Sequence, residues 1–459
     1  MSVFHSGSEK RKIMELLKNK KLKIHFTGAG GVGIFSLLKI SARLGYSVSG
    51  SDRDISPLSN RLIDEGYKVY IGHSEENARD SQLLVYTLAL SEDNPELKFA
   101  VDNGIPVVSR AEYLGALMEN YGERISVSGS HGKSTTTAMI SKIFEHDGKN
   151  PTVILGANLP SSHEPLRFGS EELLVFEGCE YKDSFLRFSP TATVFTNLEL
   201  DHVDYFPSIE ALKLSFLKAM SIPRLSVVNL DDKNLSELIP YAAGRVVTYG
   251  EAENADYRAV IEEWKKGYYS LEIRHGGIVY PKIKLSVPGR FNAMNALGAT
   301  VVALEYSVSE RVIKEALEDF FGIERRLEKI GEYRGNSVFY DYAHHPTEIK
   351  SAIECVREMT EKEVYVIFKP HTYSRTAGLM GDFVKALSLA DRVFLCEISA
   401  IRERAIHGVS SDKLASMIGT RAIKVRDEDI RDALGDARDC AIIVMGAANL
   451  DTVKRLIVC

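Results

Sequence analysis

No run of about 18 apolar residues occurs anywhere in this sequence, which argues against a membrane-spanning helix. Met1 to Lys21 is polar and lysine-rich, with no apolar core of signal-peptide length. Cysteine is scarce: Cys179, Cys355, Cys396, Cys440 and Cys459 are spread over 459 residues, and no two form a CxxC pair. That spacing argues against a disulfide framework or a cysteine zinc site, and for reduced thiols in a cytoplasmic protein. Gln82 is the single glutamine beside abundant Glu, Lys and Arg, a composition that hints at a heat-adapted source and says nothing of function. The net charge is only −6, so general affinity for nucleic acid or anionic membrane is not expected. Low-complexity segments and sequence repeats are absent.

What is present is ordinary globular material, 44% hydrophobic and 26% charged, in a chain long enough for about three domains. Ile24 to Thr27 reads as a buried strand that enters a glycine-rich turn, and further strands follow at Tyr46 to Ser49, Leu83 to Tyr86 and Pro106 to Val108. A second series holds strands at Ile125 to Ser128, Leu173 to Phe176, Ala192 to Thr196 and Leu225 to Asn229, with helices at Thr136 to His146 and Asn292 to Tyr306. Between Tyr249 and Val287, short alternating segments with Gly turns read as an antiparallel insertion. A third series runs through Ser337 to Tyr340, Val364 to Phe368, Arg392 to Leu395 and Ile442 to Met445. The expected fold is α/β in three domains: a Rossmann-like unit over 1–110, a P-loop ATPase-like parallel sheet with a small antiparallel insertion over 111–324, and a second Rossmann-like unit over 325–459. In all three, polar residues cluster at strand C-termini, the edge where open α/β sheets bind ligands.

The most informative segment is Gly129-Ser130-His131-Gly132-Lys133-Ser134-Thr135, between a strand and a helix. Glycines let backbone amides approach phosphate oxygens, and a helix N-terminus favours anions. Lysine reaches the β- and γ-phosphates, and a serine hydroxyl suits Mg²⁺. The loop is shorter than GxxxxGK[ST], because Val127 stands where the first glycine would be. Two acidic segments follow later strands, Glu177-Gly-Cys-Glu180 and Asn197-Leu-Glu-Leu-Asp-His202, and carboxylates suit Mg²⁺. Each segment alone could be a solvated strand end.

A second glycine loop, Gly28-Ala29-Gly30-Gly31-Val32-Gly33, has Asp52 at the end of the next strand. Taken alone it suggests an NAD(P)-dependent dehydrogenase, but that reading leaves the phosphate loop and its acidic partners without a role. Asp52 reads equally as a ligand contact or as a strand-end cap. His344 and His345 are adjacent, so shared metal ligation is awkward, and one packing while the other faces a site is the simpler reading.

Taken in order, these motifs resemble the Mur ligases over nearly the whole chain. The resemblance rests on Gly129 to Thr137, Glu177-x-x-Glu180, Thr196-Asn-x-Glu-x-Asp-His202, Gly289-Arg-Phe-Asn-Ala-Met-Asn295, Arg325-Arg326, Asp341-Tyr-Ala-His-His-Pro-Thr-Glu348 and Pro370 to Thr376. It implies ATP-driven ligation of L-alanine to the carboxylate of UDP-N-acetylmuramate through an acyl phosphate, in peptidoglycan precursor synthesis. The alternative it implies is attachment of a preformed peptide to the same sugar nucleotide in wall recycling. The early glycine loop (Gly28, Gly30, Gly31, Gly33) with Asp52 would then hold the UDP-sugar. Lys133 would hold the ATP phosphates, with Gly129, Ser130, His131, Gly132 and Thr135 around it. Asn292, Asn295, Arg326 and Asp341 would complete the nucleotide site. Ser134, Glu177 and His202 would ligate Mg²⁺, while His371 and Arg375, with His345, would close over the reacting carboxylate. A monomer or weak homodimer is expected. Departures from the family are Ser130 and Ser134 in place of threonines, and Cys179 and Lys182 where many relatives carry aspartates. Lys213 and Lys218 lie in the region where many members carry a carbamylated lysine.

Overall fold

A computed structural model describes residues 7–400 and 403–458. The first sheet is built from Lys23–Thr27, Ser47–Asp52, Lys68–Ile71, Leu83–Tyr86 and Val107–Ser109, which we number β1 to β5. All pair in parallel, in the order β3-β2-β1-β4-β5. The order reverses at β1, and the first glycine loop leaves the C-terminal end of that strand, where such sheets open a ligand crevice. The second strand runs through Asp52, three residues beyond the Ser49 end expected for it. The lysine-rich N-terminal segment forms a helix, Gly7–Leu16, with Ile13 buried, so it is amphipathic rather than fully solvated.

The central sheet comprises Glu123–Ser128, Pro151–Leu159, Glu164–Arg167, Ser170–Glu177, Ala192–Phe195, Leu225–Asn229, Arg245–Gly250, Tyr257–Lys265, Tyr268–His275, Ile278–Val279 and Ile283–Pro288 (β6 to β16). Its parallel heart runs β12-β11-β10-β6-β9-β7. The antiparallel insertion is present as β13 to β16, and β7 with β8 forms a second antiparallel hairpin at the opposite edge. The helices Lys133–His146, Arg290–Glu305 and Glu310–Glu318 cover one face over a core of Ile140, Phe144, Val194 and Leu297. The other face packs toward the first sheet through Tyr113, Leu114 and Leu117 of the helix Arg110–Leu117 that follows β5, so one apolar cluster runs from Phe26 to Phe216 without a break. Each such buried side chain contributes about 1.5–3 kcal/mol.

The third sheet holds Glu328–Tyr333, Asn336–Asp341, Glu363–Lys369, Arg392–Leu395, Ala422–Lys424 and Cys440–Gly446 (β17 to β22), in the order β17-β18-β22-β19-β20-β21. All but β17 are parallel; that strand adds an antiparallel edge. Among the described residues no helix is long and apolar enough to cross a membrane.

The β7–β8 hairpin ties the units together. Lys39, 6% exposed on the helix Val32–Arg43, donates to Glu164 at 2.9 Å and to Glu65 at 2.9 Å, and Arg61 reaches Glu164 at 2.6 Å. Hydrogen bonds to charged groups contribute about 1.5–3 kcal/mol. Since Arg61 still covers Glu164 when Lys39 is lost, Lys39→Met should lower the unfolding free energy in urea by about 2 kcal/mol. An unchanged midpoint by circular dichroism would contradict this pairing.

Candidate functional site

Because β6 lies between β9 and β10 in parallel, the C-terminal ends of these three strands share one edge. That places the 129–134 loop beside both Glu177–Glu180 and Thr196–His202. The loop needs its glycines. Gly129 has φ +150 and Gly132 φ +80. A Cβ would lie 2.0 Å from Thr196 Oγ1 at the first and 2.4 Å from Asn295 Oδ1 at the second. The left-handed Gly132 caps the following helix, so that helix starts at Lys133, three residues before the expected Thr136.

Lys133 Nζ donates to Gly129 O at 2.5 Å and to the Glu180 carboxylate at 3.0 Å. Burial opposes its charge, but Glu180, with Cys179 and Glu177 behind it, outweighs burial and raises its pKa. Burial would equally raise Glu180, which is 2% exposed, yet Lys133 and then His202 hold it below the usual carboxylate range. His202 Nε2 lies 3.6 Å from Glu180 Oε1, and its backbone is left-handed at φ +53. Glu177 accepts from the Gly156 N–H at 2.5 Å and is near enough to Lys133 to help raise its pKa. Ser134 is buried, and its hydroxyl accepts from Arg326 at 3.4 Å. Oxygen donors such as Ser134 and Glu177 fit a hard divalent cation.

The third domain closes over this edge. Arg375 donates three bonds of 2.8–3.1 Å to Asp201, and both side chains are under 10% exposed. Burial would raise the Asp201 carboxyl; the guanidinium instead holds it well below the ordinary range. Arg375 also lies 3.1 Å from His371 Nδ1, and burial, His344 and Arg375 together lower His371 to about 4. Thr372, between them, sits at φ +67, an outlying conformation for a β-branched residue. Asp341 accepts from the Leu327 and Ala343 amides at 2.8 and 2.7 Å, and burial raises it to about 6 against the pull of Arg326. The connection into this domain carries two more left-handed residues, Arg325 at φ +61 and Leu327 at φ +46.

His131 bridges the two domains. Its Nδ1 lies 3.2 Å from Glu348 and its Nε2 3.1 Å from Glu199, which in turn accepts from Thr347 Oγ1 at 2.6 Å. His344 and His345 both face this junction rather than one packing away. His344 stacks edge-on to His371, with ring centroids 5.8 Å apart. His345 lies 4.8 Å from His131 and caps the helix Pro346–Met359. The sequence offered Glu199 and Asp201 only as part of an acidic segment suited to Mg²⁺, and gave Glu348 no role. The last carried a readable signal, since Pro346 and Glu348 occupy the first and third positions expected of a helix start.

Beside the loop is a cavity of about 660 Å³, lined by Gly132, Ser134, Asn292, Asn295, Arg326 and Asp341, with Tyr268, Phe291 and Phe321 on its apolar side. Asn295 donates to Asn292 Oδ1 at 3.1 Å, and Asn292 to Pro288 O at 2.7 Å, which orients both amides. At the β1 crevice, the Gly28 and Ala29 amides both donate to Ser51 O at 2.8 Å. Asp52 accepts from the Gly30 N–H at 2.7 Å and so braces the glycine loop. Gly31 donates to Gly28 O, and a Cβ on Gly33 would meet Arg110 at 2.6 Å.

Three family models match in series: "Mur ligase family, catalytic domain" over residues 23–122, "Mur ligase middle domain" over 127–303, and "Mur ligase, glutamate ligase domain" over 325–448. The UDP-N-acetylmuramate–L-alanine ligase of Aquifex aeolicus is 40% identical over 442 residues, 95% of this chain and 97% of that protein. The enzyme of the same name from Caldicellulosiruptor bescii is 40% identical over 85% of this chain and 87% of its own length. The crystal structure of the UDP-N-acetylmuramate-alanine ligase of Thermotoga maritima superposes with a TM-score of 0.82 at 28% identity, covering 95% of this chain and 98% of that one. A murein peptide ligase from Psychrobacter arcticus shares the fold, with a TM-score of 0.72 at 21% identity and coverage of 95% and 98%.

The His131 bridge makes a pH prediction. Burial would lower this imidazole, but Glu348 and Glu199 raise it from 6.5 to about 9. A raised folded pKa stabilises fully below the unfolded value and is lost as pH climbs through the folded one. Wild type should therefore exceed His131→Gln in urea stability below pH 6.5, and the difference should vanish by about pH 9. A difference independent of pH would refute the charged bridge.

Proposed function

The chain belongs to the Mur ligase family, and on that premise we propose that it is an ATP-dependent UDP-N-acetylmuramate–L-alanine ligase acting in the cytoplasm, in peptidoglycan precursor synthesis. The observation that carries this reading is the phosphate loop meeting third-domain Arg326 through Ser134, with third-domain Arg375 seated on Asp201 at the same edge, in a chain that matches ligases of that name over nearly their full length.

A carboxylate is a poor electrophile, so ATP phosphorylates it and the amine of L-alanine then displaces phosphate from the acyl phosphate. The protein supplies placement and charge compensation. Lys133 releases Glu180 to take the ATP phosphates and offsets the charge that develops during transfer. Gly129, Ser130, His131, Gly132 and Thr135 surround those phosphates, and Asn292, Asn295, Arg326 and Asp341 take the nucleoside end. Ser134, Glu177 and His202 would hold Mg²⁺, which neutralises phosphate charge when bound. Arg375 neutralises the phosphoryl oxygens from the third-domain side. His371, kept uncharged by burial and by the neighbouring Arg375 cation, closes over the reacting carboxylate without repelling the incoming amine. Gly28, Gly30, Gly31 and Gly33, braced by Asp52, hold the UDP diphosphate.

Phosphate release from ATP and UDP-N-acetylmuramate should require L-alanine; release that requires a preformed peptide instead would support the wall-recycling activity and overturn this one. Lys133→Ala should reduce ligation by about 10²–10³-fold or more while UDP-sugar affinity holds. Full activity in that variant, measured by the same assay, would contradict the assigned role.

A further inference from the structure

We propose that His131, Glu199 and His345 form a binding site for a borderline transition-metal cation of the Zn²⁺ type, assembled across the junction of the central and third domains. Donor atoms of the three residues all lie within 4.8 Å of one another. His131 Nε2 is 3.1 Å and His345 Nδ1 3.7 Å from the same Glu199 oxygen. Tetrahedral coordination at metal–ligand distances of about 2.0–2.2 Å puts donor atoms about 3.3–3.6 Å apart. Two edges of the triangle thus need shifts of only a few tenths of an ångström, and the third closes by rotation of two side chains.

The chemistry of the donors selects the ion. Two imidazoles and one carboxylate suit Zn²⁺, Co²⁺ or Ni²⁺ and disfavour Mg²⁺, which takes oxygen. The site therefore does not compete for the cation of Ser134 and Glu177. Its surroundings have the organisation metal sites use. Glu348 sits 3.2 Å from Nδ1 of His131, so it keeps a proton there, and loss of the Nε2 proton leaves that lone pair aimed at Glu199. Thr347 Oγ1 holds the Glu199 carboxylate at 2.6 Å. His345 is 6% exposed, its Nε2 has no hydrogen-bond partner among the described residues, and its Nδ1 receives only a long 3.4 Å contact from the Thr347 amide. With Nδ1 as the acceptor, its lone pair is engaged only by that long amide contact and is the one that can turn to a metal. His131 and Glu199 also line the nucleotide cavity, so the fourth coordination position opens toward it. Binding replaces the proton shared by His131 and Glu199, fastens the phosphate loop to the third domain, and thereby slows the exchange of substrates.

The test uses the full-length protein, stripped of metal and titrated with Co²⁺, then with Zn²⁺. One Co²⁺ per chain should bind with visible ligand-field bands and no thiolate charge-transfer band, and Zn²⁺ should displace it. His345→Asn, which keeps a helix-capping acceptor, and Glu199→Gln should each lose binding by at least about tenfold, and Glu348→Gln should weaken it by about 10–100-fold. Far-UV circular dichroism of the metal-free variants checks that they fold. Absence of stoichiometric binding, equal affinity in folded His345→Asn, or a thiolate band that points to cysteine would each overturn the proposal.

Discussion

The buried ion pair between Asp201 and Arg375 is the contact on which the assembled site depends. Removing two charges from water costs several kcal/mol, and the pair survives only because three hydrogen bonds compensate for it. Its partners lie 174 residues apart and in different domains. Asp201 adjoins His202, His202 faces Glu180, and Glu180 holds Lys133. A third-domain guanidinium is thereby connected through three side chains to the lysine of the phosphate loop. The loop, the acidic segments and the third-domain histidines meet because that pair brings their domains together.

Some of the backbone strain lies at the same place. His202, Thr372, Arg325 and Leu327 all adopt left-handed conformations without being glycine. Such residues cost about 1–3 kcal/mol each and persist where the surroundings demand them. Thr372 lies between His371 and Arg375 and caps the short helix Tyr373–Gly378, so its strain aims both side chains at the junction. Arg325 and Leu327 flank Arg326, which reaches Ser134, and they lie where the chain passes from one domain to the next. Positions that absorb unusual dihedrals at a domain connection suit a hinge that opens and closes around substrates.

Much of this was legible in the sequence where chemistry and local pattern coincide. Strand, glycines, lysine and helix made the 129–134 loop readable without a structure. Asn292, Asn295, Arg326 and Asp341, scattered over fifty residues, line one cavity with it. What was not legible is non-local. Nothing in a linear pattern says that β6 lies between β9 and β10, and only that order brings Glu177 and Asp201 to the same loop. Asp201 was visible as an acidic residue but not as the partner of Arg375. The β7 and β8 hairpin escaped because Gly156 and Asn158 interrupt its apolar pattern, although its Gly156 amide holds Glu177 and its Asn158 holds Glu324 at the hinge. Asp52, open between ligand contact and cap, braces Gly30, a role that leaves its second oxygen's contacts local as well.

A double-mutant cycle on Asp201 and Arg375 tests the claim that one interdomain pair organises the site. The quantity is kcat/KM for amine-dependent phosphate release by Asp201→Asn, Arg375→Gln and the combination. If the pair acts as a unit, each single change causes most of the loss and the double variant is hardly worse, a coupling of about 1–3 kcal/mol. Losses that simply add would show that the two residues act independently and that the assembly of the site rests elsewhere.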